Sequence, residues 1–434
     1  MRLACADVPH YYTLITHKPY VIRLPTVRQT KQIKQILTVL IIKGWNLVTM
    51  YDVLVNHRLG KKGFFFVISC CLIVFEILRV PSQPHPSAAQ ESRKFAFLKS
   101  HKCAGTVVEN IIFRFAWNNK LNVVLPPNGN YLSTTQLFNH ASLNSTKWKD
   151  LDFDVFCLHS RWNKEEITKV LREEVKTFTI VRDPIDVFVS MFHFQDPVRE
   201  FYGVKDIHEM VNLIQNASAS VLNKRWLGFV GRNQMAWDMG LSPDIFDDAD
   251  AVNKEIERLD SEFDLVMVAS RMNESLILLK HLLNWPLQNV IHLNLNRRRP
   301  EKQSPSLSKD ERKVLTDWLA ADVQIYEYFS RRFDERVAQF NRQQSTFLTG
   351  TLFNFDSAMK IQTQLLEKAN EELYKRCVLQ EVGNEKLSGK FKEINNNIMG
   401  FVINEEQQGC DLYAQSEPAY LKLFENLLMS RISN

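Results

Sequence analysis

The sequence predicts an α/β fold built around a doubly wound parallel sheet. An apolar run at residues 95–98 and an alternating segment rich in β-branched residues at 175–181 are each followed by a short polar segment and then by apolar residues at helical spacing. Further short apolar runs lie at 154–158, 263–268 and 290–293, with amphipathic segments between them. Strands that alternate with helices in this way are typical of a parallel sheet covered by helices on both faces.

The first transition, at residues 95–106, predicts an anion-binding loop. Gly105 lets the backbone approach an anion closely, and the following helix would point its unpaired N–H groups at that anion. Lys102 and Thr106 add a charge and a hydroxyl. The pattern G-x-x-x-x-G-K-[ST] is absent, and Cys103 stands where a P-loop kinase needs a metal-binding Ser or Thr. A kinase or ATPase is therefore disfavoured.

The second transition, at residues 175–190, predicts another basic strand end. Arg182 follows the strand, Asp183 can cap a helix that Pro184 starts, and Ser190 lies two turns into that helix. By itself the Arg-Asp-Pro segment is equally consistent with an ordinary capped helix start.

An open parallel sheet places its ligand crevice outside the carboxyl ends of the strands. This geometry would gather Lys102, His159, Arg182 and Arg298 into one cleft. The sequence therefore predicts a site that binds a nucleotide with phosphates at both ends.

The two transitions resemble the 5′-phosphosulfate and 3′-phosphate sites of the sulfotransferases. Further ordered matches make the chain similar to the galactose 3-O-sulfotransferases, a family that includes galactosylceramide sulfotransferase. The resemblance spans roughly residues 95–340 and returns weakly near Cys410 and Tyr420. The matching segments are 97–102, 110–115, 159–163, 182–194, 232–240, 274–280, Trp285 and 296–299.

This resemblance implies a P-loop-like sulfotransferase architecture and a defined reaction. The enzyme would transfer a sulfuryl group from 3′-phosphoadenosine 5′-phosphosulfate (PAPS) to the 3-hydroxyl of a galactose on a glycolipid or a glycoprotein glycan. Sulfuryl transfer of this kind requires no metal. The residues that the resemblance assigns to the donor are Lys99, Lys102, Cys103, Ala104, Gly105, Thr106, Arg182, Ser190 and Arg298.

Three residues are candidates for the chemical step. Lys102 would stabilise the leaving phosphate oxygen, and either His159 or His101 would take the proton of the acceptor hydroxyl. His159 is favoured because it ends a strand and matches a family histidine that faces the acceptor, whereas His101 lies inside the donor loop. A purely structural role for either histidine stays open.

The chain also departs from the family pattern. It has Cys-Ala-Gly-Thr-Val at 103–107 in place of a Thr-Gly-Ser-Ser-Thr-like loop, and 270–273 lacks the usual acidic and aromatic character. The second change bears on acceptor specificity. Two alternatives therefore stay open: a glycosaminoglycan sulfotransferase, and a catalytically silent donor-binding homologue.

The amino-terminal part predicts a type II membrane protein with a lumenal catalytic domain, and the family resemblance implies the Golgi apparatus as its location. Basic residues precede a short apolar run, and a proline-bearing polar stretch follows it. A buried helix or a cleaved signal is the alternative, and Met50 is a candidate start, which would make 1–49 non-native. The predicted parts are a cytoplasmic segment 1–62, a signal-anchor helix 63–80, a stem 81–93, a catalytic domain 94–345 and a helical extension 346–434 packed on it.

Composition agrees with one main enzyme domain plus appendages. The 434 residues and the 45% hydrophobic share support a sizeable core. A net charge of +5 suits an anionic donor or a membrane surface, and the absence of a basic tract with interleaved aromatics argues against a nucleic-acid partner. The expected partners are a galactose-terminated acceptor and the Golgi membrane, and a homodimer remains an open alternative.

The remaining expectations concern the lumenal part. A bridge between Cys377 and Cys410 would tie down the tail, although these two with Cys103 and Cys157 allow three pairings. No metal-site spacing is found. Helices are predicted at 310–340 and 356–380, and glycosylation sequons begin at Asn144, Asn216 and Asn273.

Overall fold

The computed structural model of the chain describes residues 91–433, except 174, 195, 300–305 and 347–357. The predicted cytoplasmic segment and anchor, and the stem up to residue 90, lie outside the described residues. Within the described part, no helix combines the length and the apolar character needed to cross a bilayer.

A four-stranded parallel sheet forms the centre of the fold, in the order β2-β1-β3-β4. The α/β fold class with a central parallel sheet is thus confirmed. A separate antiparallel pair, β5 with β6, lies in the carboxyl-terminal part. The strands are β1 (Phe95–Leu98), β2 (Val155–Phe156), β3 (Lys176–Val181), β4 (Leu265–Val268), β5 (Val378–Gly383) and β6 (Met399–Ile403).

Helices connect and cover the strands. In chain order they are α1 (Gly105–Asn118), α2 (Lys164–Leu171), α3 (Pro184–Phe194), α4 (Asp196–Tyr202), α5 (Ile207–Asn216), α6 (Ala219–Leu222), α7 (Gln234–Asp238), α8 (Ala249–Glu262), α9 (Met272–Leu282), α10 (Leu287–Val290), α11 (Lys309–Trp318), α12 (Ala320–Thr346), α13 (Ala358–Cys377), α14 (Cys410–Ala414) and α15 (Glu417–Ile432).

The strands are apolar because helices cover both faces of the sheet. All four residues of β1 are buried, and Phe178 of β3 packs its ring between those of Phe95 and Phe97, with centroids 5.8 and 5.3 Å away. Continuous burial explains why β1 is an apolar run, whereas β3 alternates because it also buries the polar residues Thr177 and Thr179.

The strand order creates a topological switch point between β1 and β3. From β1 the chain moves to β2 on one side, and then returns past β1 to β3 and β4 on the other side. Ligands of open α/β sheets bind at the carboxyl ends of the strands where this reversal occurs. The loops that follow β1 and β3 are the two transitions that the sequence singled out.

Three predicted elements have different bounds in the structure. The strand at 154–158 is only Val155–Phe156. The helix at 310–340 is two helices, because the chain turns at Leu319, whose side chain is buried. The helix at 356–380 ends at Cys377, and the residues after it pair with β6.

The predicted strand at 290–293 is wrong. Pro286 starts the helical turn α10, which ends at Val290. After it, the His292 N–H donates to Asn370 Oδ1 at 2.9 Å, and Leu293 is buried against the carboxyl-terminal part. The apolar character of this run reflects packing against α13 and β6 rather than sheet pairing.

The carboxyl-terminal helices pack on α1. Tyr420 and Phe424 place their rings 5.1 and 5.4 Å from that of Phe113. The predicted bridge between Cys377 and Cys410 is present, with Cα atoms 5.2 Å apart. The carboxyl-terminal part therefore packs on the helix that follows β1, and a disulfide joins α13 to α14 within it.

Candidate functional site

The loop between β1 and α1 has an unusual backbone. Lys102 and Ala104 both have positive φ, 58° and 63°, which is uncommon for residues other than glycine. Ala104 is the N-cap of α1 and offers no side-chain cap to its N–H groups. A β-carbon at Gly105 would lie 3.0 Å from Lys99 Cγ, so the small residue is needed for close packing of the loop. This shape suits an anion at the helix N-terminus.

Three cations from three parts of the chain meet beside this loop. Arg182, after β3, donates from Nη1 to the Lys102 carbonyl at 3.1 Å. Arg298 donates from Nη2 to the Val189 carbonyl at 3.5 Å, which places it next to Ser190 on α3. Burial, and then the charges of Arg298 and Arg182, lower the pKa of Lys102 to about 7. Positive charges gathered in this way make a site suited to a polyanion.

The other donor-loop residues have distinct surroundings. Thr106 Oγ1 accepts from Asn296 Nδ2 at 3.1 Å. The Cys103 side chain is fully buried and donates to the His101 carbonyl, and burial raises the pKa of its thiol. Cys103 can therefore offer a ligand only its backbone.

Lys99 points away from the cationic cluster. Its Nζ lies 2.7 Å from Glu109 Oε2 and 2.9 Å from Glu417 Oε2, and its side chain is only 4% exposed. Burial lowers the pKa of this lysine, but the charges and hydrogen bonds of Glu109 and Glu417 outweigh that effect, so the pKa is raised above its ordinary value. The charge of Lys99 is thus neutralised within the protein.

The two candidate bases are adjacent. The His101 and His159 rings stack with centroids 4.2 Å apart. His159 Nδ1 lies 2.9 Å from the Lys99 carbonyl, and because a carbonyl can only accept, Nδ1 carries the proton. Burial, followed by the charges of His101 and Lys99, places the pKa of His159 well below its ordinary value. His159 is therefore neutral, with the lone pair on Nε2.

His101 has an acidic partner instead. Its Nδ1 lies 2.9 and 3.0 Å from the two carboxylate oxygens of Asp238, and its backbone N–H donates to the same carboxylate at 2.8 Å. Its Nε2 lies 3.4 Å from the hydroxyl of Tyr131. The carboxylate thus orients this ring and anchors the loop around it.

Sequence reasoning missed four residues around the histidines and the loop. Asp238 is the last residue of α7 and is buried; it lies in the 232–240 segment that resembles the family, but nothing in that segment marks it as the partner of His101. Tyr131 and Phe229 belong to loops without a motif, and Glu417 is separated from Lys99 by 318 positions. Contacts of this kind depend on the tertiary structure, so the sequence carries no local signal for them.

The segment 270–273 lies at the far edge of the sheet, after β4. Arg271 pairs with Glu274 and Asp334, and Asn273 donates to Glu367 at 3.0 Å. These contacts join α9 to α12 and α13. Within the described ranges, no group of three or more His, Cys, Asp or Glu side chains is arranged to hold a metal ion.

A family model described as galactose-3-O-sulfotransferase matches residues 23–391. The chain is 26% identical to galactosylceramide sulfotransferase of Bos taurus over 301 residues, covering 69% of this chain and 67% of the relative. It is 28% identical to galactose-3-O-sulfotransferase 2 of Mus musculus over 289 residues, covering 64% and 72%. It is 27% identical to galactose-3-O-sulfotransferase 3 of Mus musculus over 289 residues, covering 65% and 62%.

Proposed function

The chain belongs to the galactose-3-O-sulfotransferase family, and on that premise we propose that it transfers a sulfuryl group from PAPS to the 3-hydroxyl of a galactose residue. The acceptor is a galactose-terminated glycolipid or glycoprotein glycan. The observation that carries this proposal is the cationic cluster of Lys102, Arg182 and Arg298 beside two stacked histidines at the switch point of the sheet.

The donor fits the residues of this cluster. The 5′-phosphosulfate lies over the N-terminus of α1, where Gly105, Thr106 and the backbone of Cys103 and Ala104 surround it with N–H groups and a hydroxyl. The 3′-phosphate lies between Arg182, Ser190 and Arg298 beside α3. Lys102, between the two, contacts the 5′ end. Lys99 supports the loop through its carbonyl and its ion pairs.

The reaction is an in-line displacement at sulfur. The galactose 3-oxygen forms a bond to sulfur while the bond between sulfur and the 5′-phosphate oxygen breaks, and adenosine 3′,5′-bisphosphate leaves. The Lys102 ammonium stabilises the charge that develops on the leaving oxygen. The cleft contributes orientation and electrostatic stabilisation, as in phosphoryl transfer.

His159 is the base that takes the proton of the galactose 3-hydroxyl. Its Nδ1–H is committed to the Lys99 carbonyl, so its Nε2 has a lone pair, and its lowered pKa keeps that lone pair available at neutral pH. His101, held by Asp238, packs against His159 and fixes the orientation of its ring.

The test is sulfate transfer from radiolabelled PAPS by the full chain to galactosylceramide, N-acetyllactosamine and heparan sulfate. We expect label on the galactose 3-hydroxyl of at least one of the first two acceptors. Lys102→Ala should abolish it, and Lys169→Ala, a change in an exposed lysine on α2, should not. Label on heparan sulfate alone would overturn the proposed acceptor, and PAPS binding without transfer would overturn the proposed activity.

The base assignment needs its own comparison. His159→Ala should lower kcat by roughly 10²- to 10⁴-fold and remove the acidic limb of the pH–rate profile. His101→Ala should lower kcat less and keep that limb. The reverse pattern would assign the base to His101.

We also propose that the protein is a type II membrane enzyme of the Golgi apparatus, with a signal anchor at 63–80, a stem at 81–93 and a lumenal catalytic domain at 94–345. The support is the basic residues before the apolar run and the proline-bearing stretch after it. Sequencing the amino terminus of the native protein would test the start at Met50, because recovery of residues 1–49 would exclude it.

A further inference from the structure

Four aromatic rings form one cluster at the site. Beside the stacked histidine pair, Tyr131 places its ring 5.1 Å from that of His159 and 5.7 Å from that of His101. Phe229 lies 5.4 Å from Tyr131 and 6.0 Å from His101. The planes of Tyr131 and Phe229 meet at 60°, so the two rings form adjacent walls of a corner beside the histidines.

Backbone hydrogen bonds hold the segments that carry both rings. The N–H of Leu132 donates to the His159 carbonyl at 2.8 Å, which fixes Tyr131 next to the proposed base. Phe229 lies in a tight hairpin closed by two backbone hydrogen bonds between Trp226 and Val230, 2.8 and 3.0 Å long. The corner is therefore formed by the fold and does not depend on a ligand.

Arg225 makes this hairpin rigid. Its guanidinium donates to the carbonyls of Phe229 and Arg232 and to Gln234 Oε1, and it lies 4.2 Å above the Trp237 ring. A rigid turn places an aromatic side chain with little loss of entropy on binding.

The chemistry of the corner matches a sugar. Tyr131 and Phe229 are half-buried, so part of each residue remains accessible to a ligand. In galactose the hydrogens on C3, C4 and C5 lie on one face and make an apolar patch, which packs favourably on a flat ring through dispersion and removal from water. The 3-hydroxyl lies at the edge of that patch.

We infer that Tyr131 and Phe229 are the residues that bind the galactose ring, with Phe229 as the stacking surface and Tyr131 as the second wall beside His159. This inference rests on the proposed function and specifies its acceptor site. Stacking on Phe229 directs the edge of the sugar that bears the 3-hydroxyl towards the histidine pair. Phe229 is thus a determinant of acceptor recognition that makes no contact with the donor.

The test uses methyl β-galactoside, an acceptor without an extended aglycone, and the full chain. Phe229→Ala should raise the KM for this acceptor about tenfold, the size expected for loss of one aromatic stacking contact. The Kd for adenosine 3′,5′-bisphosphate should stay within about twofold of the wild-type value, because the donor site is unchanged. Leu227→Ala is the matched control, since this side chain lies in the same hairpin and is 63% exposed.

Two further variants separate stacking from packing. Phe229→Tyr retains a flat ring and should keep a KM near that of the wild type, whereas Phe229→Leu retains apolar bulk without a flat ring and should resemble Phe229→Ala. A restored KM in Phe229→Leu, or an unchanged KM in Phe229→Ala, would overturn the inference.

Failure of the proposed function would look different. If the wild-type chain transferred no sulfate to any galactoside, binding of methyl β-galactoside could still be followed by ligand-observed NMR. Wild-type binding that is lost in Phe229→Ala would then support the galactose corner while rejecting the transfer reaction. No binding by the wild type would reject both.

Discussion

Lys102 shows how the loop prepares its site for an anion. Its backbone has a positive φ, and its ammonium is partly buried near Arg182 and Arg298. A strained backbone and crowded like charges both cost free energy in the unliganded protein. A bound polyanion offsets the charge repulsion, so the arrangement is consistent with a binding role for this residue.

Donor affinity should therefore depend on pH. The protonated form of Lys102 binds phosphate, and its pKa in the free protein is about 7. Bound phosphates stabilise the charged form and raise that pKa, so affinity should fall as the pH rises above 7, by up to about tenfold per pH unit. Calorimetric titration with adenosine 3′,5′-bisphosphate between pH 6 and 9 would measure this.

The control is a variant without a titrating group. Lys102→Met should bind more weakly and show little pH dependence across this range. Two buffers of different ionisation enthalpy should reveal proton uptake near pH 8 with the wild type and none with the variant. A flat wild-type affinity would contradict the role given to Lys102.

The two histidines differ in the partner of Nδ1. A neutral backbone carbonyl holds His159, whereas the Asp238 carboxylate holds His101. Both arrangements direct Nε2 away from the partner that holds Nδ1. Position relative to Tyr131 and Phe229 does not separate them, because the His159 ring is nearer to Tyr131 whereas the His101 ring is the one that contacts Phe229. The assignment to His159 rests on its neutral ring, whose Nε2 carries the lone pair.

At the scale of elements, the carboxyl-terminal helix α15 is joined to the donor loop by charge. Glu417, in its first turn, pairs with Lys99 and accepts from Asn130 Nδ2 at 3.0 Å, one residue before Tyr131. Lys99 also pairs with Glu109 on α1. One buried lysine thus connects β1, α1 and α15, and its carbonyl accepts the Nδ1–H of His159.

Removing Lys99 should be strongly destabilising. Lys99→Met leaves Glu109 and Glu417 facing one another without a counter-ion, which should lower the free energy of unfolding by about 3–5 kcal/mol at pH 7. Burial already raises the pKa of Glu109, and loss of the lysine would raise it further, so the carboxylates take up protons as the pH falls. The loss of stability should accordingly shrink at pH 5.

Urea denaturation at the two pH values would measure this difference. Lys169→Met removes an exposed lysine paired with Glu165 and Glu166, and should leave stability nearly unchanged because solvent screens these surface pairs. Equal losses for the two variants, or a Lys99→Met loss that is independent of pH, would argue against a buried charge cluster.

At the scale of the whole molecule, the three sequons have different accessibility. Asn144 and Asn216 are exposed, whereas Asn273 is half-buried and donates from its amide to Glu367. A glycosyltransferase must reach the side-chain nitrogen, so the burial of Asn273 disfavours its modification; a side-chain hydrogen bond alone does not separate the sites, because the Asn216 amide also donates, to the Asn212 carbonyl at 2.8 Å.

A lumenal chain should therefore carry glycans at Asn144 and Asn216 and not at Asn273. Expression of the full chain in secretory cells, followed by glycopeptide mass spectrometry, would show this. Asn273→Gln should leave the mobility of the protein on gels unchanged, whereas Asn144→Gln and Asn216→Gln should each increase it. A glycan-free protein from secretory cells would contradict the lumenal location.

The sequence by itself determined the elements whose signals are local. Buried strands of a parallel sheet are continuous apolar runs, and Gly105 and Pro184 mark helix starts through their own backbone properties. The sheet class, both basic strand ends and the family were therefore predictable. The run at 290–293 was misassigned because an apolar segment can equally be buried against helices, and only its neighbours decide between the two.

The tertiary structure decided what depends on partners distant in the chain. Lys99 follows a strand like a phosphate ligand, but Glu109 and Glu417 neutralise it. The acceptor corner of Tyr131 and Phe229 and the anchoring of His101 by Asp238 also join segments separated by many residues. Local sequence patterns encode backbone conformation and burial, whereas the pairing of side chains is fixed only when the packed elements bring them together.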